Sequence, residues 1–317
     1  MKVLFSVPIR SEQVEGFRKE FPQIEFLVER KQNQSREELL GDIDIWVDYG
    51  LDLKEEDIQR AKNLKWFMAY SAGVDKLPKR ELLERNILVT NVRGIHRHVI
   101  AEQVFGYMLY YVRKFDETLE QQRTGQWDRG LKPQSLYGKT IGILGVGAIG
   151  QEIARKAKAF DMKVLGVRKT AKPTQYVDEI YPIEKMDQVL KASDFVVMVF
   201  PNTPKTKHIM DKESFRQMQD HAYFINIARG EVVDTQALLW ALKEKVIAGA
   251  AIDVFEKEPL PEDHPLRSLD NIFITPHSAG LFPNYISRSN EIFKKNLWVY
   301  LSKIGKMVNV VDLKKGY

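Results

Sequence analysis

The 317-residue chain contains no cysteine. That absence excludes disulfides and thiolate metal ligands, and it is compatible with a reducing compartment. No apolar run approaches the roughly 20 residues that a membrane-spanning helix requires. The N-terminus, Met1-Lys2-Val3-Leu4-Phe5-Ser6-Val7-Pro8, reads as a first β-strand rather than a signal peptide. A soluble, cytoplasmic protein is therefore expected. Neither sign of charge is in large excess, with 48 Lys+Arg against 43 Asp+Glu and a net charge of +5 spread along the sequence. Zinc-finger spacing, a basic aromatic RNA-binding signature and dense Lys/Arg blocks are all missing, so nucleic acid is not an expected partner. Internal repeats and low-complexity linkers are missing too. His96 and His98 are two residues apart, which suits neither one face of a helix nor a metal motif. They read as surface or hinge residues, with no metal site.

What is present is enough apolar material, 44% of the residues, to build two cores. Short apolar runs at 3–7, 43–47, 66–70 and 87–92 alternate with helix-prone stretches at 12–19 and 36–40, the rhythm of a parallel α/β unit. From His98 to Gln126 the pattern turns helical, with Val99, Val104, Met108 and Tyr111 on one face. A second unit follows, with six strands expected at 140–144, 162–167, 195–200, 223–227, 250–254 and 272–275, alternating with helices at 149–160, 186–191, 212–218 and 236–244. A closing helix over 284–302 outlasts this sheet and is expected to return the chain to the first unit.

The most informative stretch is Ile141-Gly142-Ile143-Leu144-Gly145-Val146-Gly147-Ala148-Ile149-Gly150, an apolar strand entering a G-x-G-x-x-G turn and then a helix. This arrangement cradles a dinucleotide pyrophosphate. Gly145 permits the tight turn, Gly147 removes a side chain where the phosphates approach, and Gly150 lets helix and strand pack closely. Amides from Val146 to Ile149 would face the phosphates with the positive end of the helix dipole. NAD sites usually place Asp or Glu at the end of the second strand to hold the ribose hydroxyls. Here Arg168 takes that position, followed by Lys169 and Thr170. Cationic donors and a hydroxyl suit a 2′-phosphate, so NADP (NADPH) is expected to be preferred, with NAD possible.

Three polar clusters end predicted strands of the second unit, where open α/β sheets bind ligands. They are Asn226-Ile227-Ala228-Arg229-Gly230, Asp253-Val254-Phe255-Glu256-Lys257-Glu258-Pro259 and Thr275-Pro276-His277-Ser278-Ala279-Gly280. Reducing a 2-keto acid needs a hydride donor, a cation to grip the carboxylate and polarise the carbonyl, and an acid to protonate the alkoxide. Arg229 is a candidate for the cation and His277 for the acid, with Glu258 expected to favour the charged imidazole. Each residue alone has an ordinary structural explanation. Their combination at strand ends, downstream of a phosphate-binding turn, favours catalysis.

These motifs, together with Ser71-Ala72-Gly73-Val74-Asp75, Asn91-Val92-Arg93-Gly94, Ala101-Glu102 and Pro201-Asn202-Thr203-Pro204, resemble the D-isomer-specific 2-hydroxyacid dehydrogenase family, closest to its glyoxylate/hydroxypyruvate reductase branch. The resemblance runs from about Tyr70 to Leu297. It implies two doubly wound parallel-sheet α/β domains, a Rossmann cofactor domain (98–287) inserted into a discontinuous flavodoxin-like substrate domain (1–97 and 288–317), with closure about crossing segments near His98 and Phe282. By the resemblance Arg229 binds substrate, His277 is the general acid/base and Glu258 its paired carboxylate. Asp253 would hold the nicotinamide carboxamide, Pro201, Thr206 and Ala228 would join the cofactor site, and the amides of Ala72 and Gly73 would receive the substrate carboxylate. Trp46, Tyr49 and Leu51 are candidates either for the substrate side-chain pocket or for packing. The expected activity is NADPH-dependent reduction of glyoxylate, hydroxypyruvate or a related 2-keto acid to a D-2-hydroxy acid. The alternatives are an NAD-dependent D-2-hydroxyacid dehydrogenase and a non-catalytic NAD(P)H-sensing protein. Glu258, where formate dehydrogenases of the family carry Gln, disfavours formate oxidation. The absence of a regulatory extension after Tyr317 disfavours the longer phosphoglycerate dehydrogenase type. A homodimer is expected through the helical arm from His98 to Trp127.

Overall fold

A computed structural model describes residues 1–29 and 36–314. The chain divides into two compact units, Met1–Ile95 with Phe282–Tyr317, and His96–Leu281. The divisions fall at 95/96 and 281/282, earlier than the expected 97/98 and 287/288. The second shift has a local cause. The Phe282 ring packs on Tyr285 at 5.4 Å and Tyr285 lies 6.4 Å from Tyr49, so the approach to the closing helix already belongs to the first unit. The last three residues of the expected C-terminal share, 315–317, lie outside the described residues.

The first unit is built on five parallel strands, β1 (Lys2–Phe5), β2 (Glu25–Val28), β3 (Ile45–Asp48), β4 (Trp66–Ala69) and β5 (Leu88–Asn91), in the order β2-β1-β3-β4-β5. This is the flavodoxin-like order, with the chain reversing direction across β1 and β3. The central strands are covered on both faces, which is why Ile45, Trp46, Val47, Trp66, Phe67 and Met68 form continuous apolar runs rather than alternating ones. Strand β2 escapes that pattern because it is an edge strand with an exposed Glu25. Two short charged helices, Glu55–Arg60 and Lys79–Glu84, also have too little apolar periodicity to be read in advance. The closing helix Tyr285–Ser302 packs in this unit through Phe293, edge-on to Phe5 at 5.5 Å. Phe293 and Leu297 are fully buried, and this burial is what holds the C-terminal helix against the first sheet.

The second unit carries seven parallel strands: β6 (Thr140–Leu144), β7 (Lys163–Val167), β8 (Glu179–Tyr181), β9 (Phe195–Met198), β10 (Tyr223–Asn226), β11 (Gly249–Ile252) and β12 (Ile272–Ile274). Their order is β12-β11-β10-β9-β6-β7-β8, the Rossmann arrangement with one strand added at an edge. The six expected strands are present, and β8 is the seventh. It is short, charged and at the sheet edge, so no apolar run announces it. The expected single helical segment from His98 to Gln126 is two helices, Arg97–Val112 and Phe115–Thr124. Lys114 breaks them with a left-handed backbone (φ 56°). The first of these buries Ala101, Val104 and Met108 in one core with Ile153, Ala154 and Ala157 of the helix Ala148–Ala159. Strand order reverses between β6 and β9, and ligands of open α/β sheets gather at the carboxyl ends beside such a point. Among the described residues no helix is long and apolar enough to cross a membrane.

Candidate active site

The glycine turn leaves β6 at this switch point. Gly145 has φ 122°, and a Cβ there would lie 2.8 Å from the Val199 carbonyl carbon, so only glycine fits. A Cβ on Gly150 would lie 2.3 Å from the Gly145 oxygen, which is the close helix-to-strand approach expected of the third glycine. Gly147 is different. It caps the helix Ala148–Ala159, and nothing stands within 4 Å of where its Cβ would be. Gly147 thus leaves the start of this helix uncovered on the side where its own Cβ would stand, a cradle that fits a pyrophosphate. The amides of Gly145 and Val146 both donate to the Val167 carbonyl, at 3.0 and 3.2 Å, so the Val146 amide, expected to face the phosphates, is instead taken up by β7. Arg168 follows Val167 directly, so the turn and the cation are locked together at the ends of β6 and β7. Arg168 is half-buried, with its amide on the Tyr181 carbonyl at 2.9 Å, while Lys169 and Thr170 are exposed. After β9, the buried Thr206 hydroxyl donates to the Pro201 carbonyl at 2.6 Å and accepts from the Thr203 amide at 2.9 Å. Thr206 thus ties its own turn together.

Arg229, Glu258 and His277 follow β10, β11 and β12 in turn, and all belong to the second unit. The Asn226 side chain shapes the first loop, accepting from the Ala228 amide at 3.0 Å and donating to the Arg229 carbonyl at 3.0 Å. The Arg229 Nη1 donates to the Ala228 carbonyl at 2.7 Å. Gly230 is obligatory for packing: a Cβ there would lie 1.9 Å from the Phe255 carbonyl carbon. The Arg229 loop is thereby pressed against the peptide that leads to Glu258. One Glu258 oxygen accepts from the Phe255 amide at 2.9 Å, and the other pairs with His277 Nδ1 at 2.8 Å. An ionised carboxylate only accepts, so Nδ1 carries the hydrogen of this bond and Nε2 is the nitrogen left for proton exchange on the half-exposed ring.

His277 has a left-handed backbone (φ 52°), a conformation that needs support in a residue with a side chain. Asp253 supplies it. Its carbonyl accepts from the His277 amide at 2.8 Å, and its carboxylate, in a residue 2% exposed, accepts from Thr275 Oγ1 (2.5 Å), Ser278 N (2.9 Å) and Ala279 N (3.0 Å). Thr275 Oγ1 also lies 2.6 Å from the Tyr107 hydroxyl, whose pKa burial pushes up to about 12. Asp253, expected at the cofactor, thus tethers the His277 loop, a role its sequence context alone does not reveal. The nearest signal is an acid ending one strand beside a T-P-H-S-A run ending the next.

His96, expected as a surface or hinge residue, is half-buried at the first position of the second unit. Its ring Cδ2 lies 3.3 Å from the Cβ position of Gly280, and burial, helped by the Arg229 guanidinium, lowers its pKa to about 4. His98 pairs instead with Glu152 at 3.1 Å. Glu152 is held down to about 2, first by its hydrogen bonds to Arg155. Among the described residues no cluster of acids and histidines could hold a metal ion.

In the first unit, Ala72 and Gly73 sit on the loop after β4. The Ala72 carbonyl accepts from Asn91 Nδ2 and the Gly73 carbonyl from Ser71 Oγ, each at 2.8 Å. Of the three pocket candidates, Trp46 is packing. It is fully buried, donates to Ser6 Oγ at 2.9 Å and lies under the Arg36 guanidinium at 5.0 Å. Tyr49 is half-buried and Leu51 exposed.

The model of the D-isomer specific 2-hydroxyacid dehydrogenase NAD-binding domain matches residues 105–279. The chain belongs to the D-isomer specific 2-hydroxyacid dehydrogenase family. It is 39% identical over 275 residues to the glyoxylate reductase of Thermofilum pendens, covering 83% of this chain and 80% of that one. A D-isomer specific 2-hydroxyacid dehydrogenase family protein from Aeromonas salmonicida superposes with a TM-score of 0.88 at 31% identity, over 98% of this chain and 99% of the other. The NADPH-dependent glyoxylate/hydroxypyruvate reductase of Sinorhizobium meliloti, solved with NADP and sulfate, gives 0.84 at 26% identity, over 100% and 99%. As a family member this 2-hydroxyacid dehydrogenase is an NAD(P)-dependent oxidoreductase, and its second unit is the NAD(P)-binding one.

Proposed function

We propose that this dehydrogenase works as an NADPH-preferring reductase of small 2-keto acids, glyoxylate and hydroxypyruvate among them, giving D-2-hydroxy acids. The observation that carries the reading is the 2.8 Å pair of His277 Nδ1 with Glu258 beside the Arg229 loop. Arg229 holds the substrate carboxylate and draws electron density toward the carbonyl oxygen. His277 Nε2 gives its proton to that oxygen as the carbonyl carbon is reduced, and Glu258, bonded to Nδ1, orients the ring for the transfer. In oxidation the same nitrogen takes the proton from the hydroxyl. The bound nicotinamide cofactor supplies the hydride for reduction. The amides of Ala72 and Gly73 receive the carboxylate, while Pro201, Thr206, Ala228 and Asp253 border the cofactor.

Arg168, with Lys169 and Thr170, supports NADP because a guanidinium matches a 2′-phosphate where an acid would repel it. The Sinorhizobium reductase contains NADP, whereas a formate dehydrogenase of similar fold from Staphylococcus aureus contains NAD, so the fold by itself does not decide the cofactor. Exposed Phe115, Leu119 and Trp127 on and after the second helix of the arm support a homodimer through that arm. The test is a keto-acid panel with both cofactors, on wild type and Arg168→Asp. NADPH preference that falls at least tenfold in the variant is expected. Unaltered preference removes Arg168 from the account, and no turnover with any acid rejects the function.

A further inference from the structure

The carbonyl oxygens of the loop Ser71–Gly73 are each taken by a donor within the first unit. The Ser71 carbonyl accepts from the Val92 amide and the Ala72 carbonyl from Asn91 Nδ2, so across each trans peptide the Ala72 and Gly73 N–H groups face the opposite way. Such a loop works only if its first residue is fixed. Tyr70, which leads into it, is fully buried and is gripped twice by the helix Tyr285–Ser302. Its hydroxyl donates to Asn290 Oδ1 at 2.7 Å, and its carbonyl accepts from the Tyr285 hydroxyl at 2.8 Å. The second bond falls on the peptide that carries the Ser71 amide, one peptide before the Ala72 amide.

We propose that Tyr285 is a positioning residue: its hydroxyl, bonded to the Tyr70 carbonyl, fixes the loop whose amides receive the substrate carboxylate. The proposal rests on the assignment of Ala72 and Gly73 above. Burial keeps the Tyr285 phenol protonated well beyond neutral pH, so it acts as a donor throughout the working range. Its ring, packed between Tyr49 and Phe282, holds the hydroxyl in place. The latch acts on the Tyr70 carbonyl, so its loss is expected to weaken substrate binding through the loop rather than slow the proton transfer made by His277.

Tyr285→Phe keeps the ring and removes the donor, and Tyr300→Phe on the same helix, tilted against Trp66 with 5.3 Å between ring centres, serves as the control. Two readouts are taken on the intact enzyme. Amide hydrogen exchange of residues 71–74 should speed up about three- to tenfold in Tyr285→Phe, the loss of one ordinary hydrogen bond, and stay at the wild-type rate in the control. KM for glyoxylate and for hydroxypyruvate should rise by one common factor in that range, because the carboxylate is shared, while kcat and KM for NADPH hold. Unchanged exchange overturns the latch. Faster exchange with unchanged KM overturns its role in carboxylate binding, and a fall in kcat alone overturns it as well. If the wild type turns over no keto acid, the proposed function fails, and exchange of the loop alone decides whether Tyr285 positions it.

Discussion

Asp253 offers the most demanding test of how the site is held. Asp253→Ala strands three donors, the Thr275 hydroxyl and the Ser278 and Ala279 amides, in a site where the acid is 2% exposed. Hydrogen bonds to a charged acceptor contribute ~1.5–3 kcal/mol each. The three share one carboxylate, and part of the loop can turn to water, so a loss of about 3–6 kcal/mol is expected rather than the full sum. For a domain of 150–250 residues this corresponds to a melting temperature lowered by roughly 6–24 °C. The functional loss should be larger than stability alone implies. Without the tether the left-handed His277 backbone relaxes, the 2.8 Å pair with Glu258 opens, and the general-acid contribution, ~100-fold or more, disappears from kcat. Asp253→Asn is the sharper variant. It leaves no cavity, but one of its positions becomes an NH2 facing a backbone N–H. Lower melting temperature and a kcat down at least tenfold are expected for Asn. If Asp253 served only a cofactor contact, Asn would raise KM for NADPH and leave melting unchanged. That pattern, or wild-type values throughout, would refute the tether.

Gly230→Ala should fold poorly or lose activity, because its Cβ meets backbone of the Phe255–Glu256 peptide rather than a yielding side chain; a soluble, fully active variant contradicts the packing argument. His96 has a folded-state pKa of about 4, below the ordinary value near ~6.5, so the folded protein disfavours the proton. Its contribution to stability is whole above about pH 6.5 and is lost as pH falls toward about 4, on the order of 3 kcal/mol in all. Denaturant titrations from pH 7 to 4 should show that slope flattened in His96→Gln, and parallel profiles would count against it. Sedimentation at micromolar concentration is expected to give a dimer, and a monomer removes the arm from the account.

The elements that announce themselves in the sequence are those whose burial imposes a pattern. The central strands of both sheets read as apolar runs because both of their faces are covered, and the closing helix reads clearly because Phe293 and Leu297 must be buried. Strands β2 and β8 do not, because edge strands can be charged. The glycine turn and the Arg229, Glu258 and His277 positions are legible because the spacing of special residues at strand ends is itself a local signal. The tether of Asp253 to 275–279 is not legible, since its side chain reaches residues 22 to 26 positions further on through bonds that leave no sequence periodicity. The break at Lys114 escapes notice for a related reason: nothing in its side chain demands a positive φ.

The central claim is that His277 Nε2, oriented by Glu258, exchanges the proton of a 2-keto acid reduction. It is tested most directly by NADPH consumption with glyoxylate and hydroxypyruvate, comparing wild type with His277→Gln. Measurable wild-type turnover is expected, with kcat lowered about 100- to 10,000-fold in the variant and NADPH affinity unchanged. A variant that keeps wild-type kcat would contradict the account.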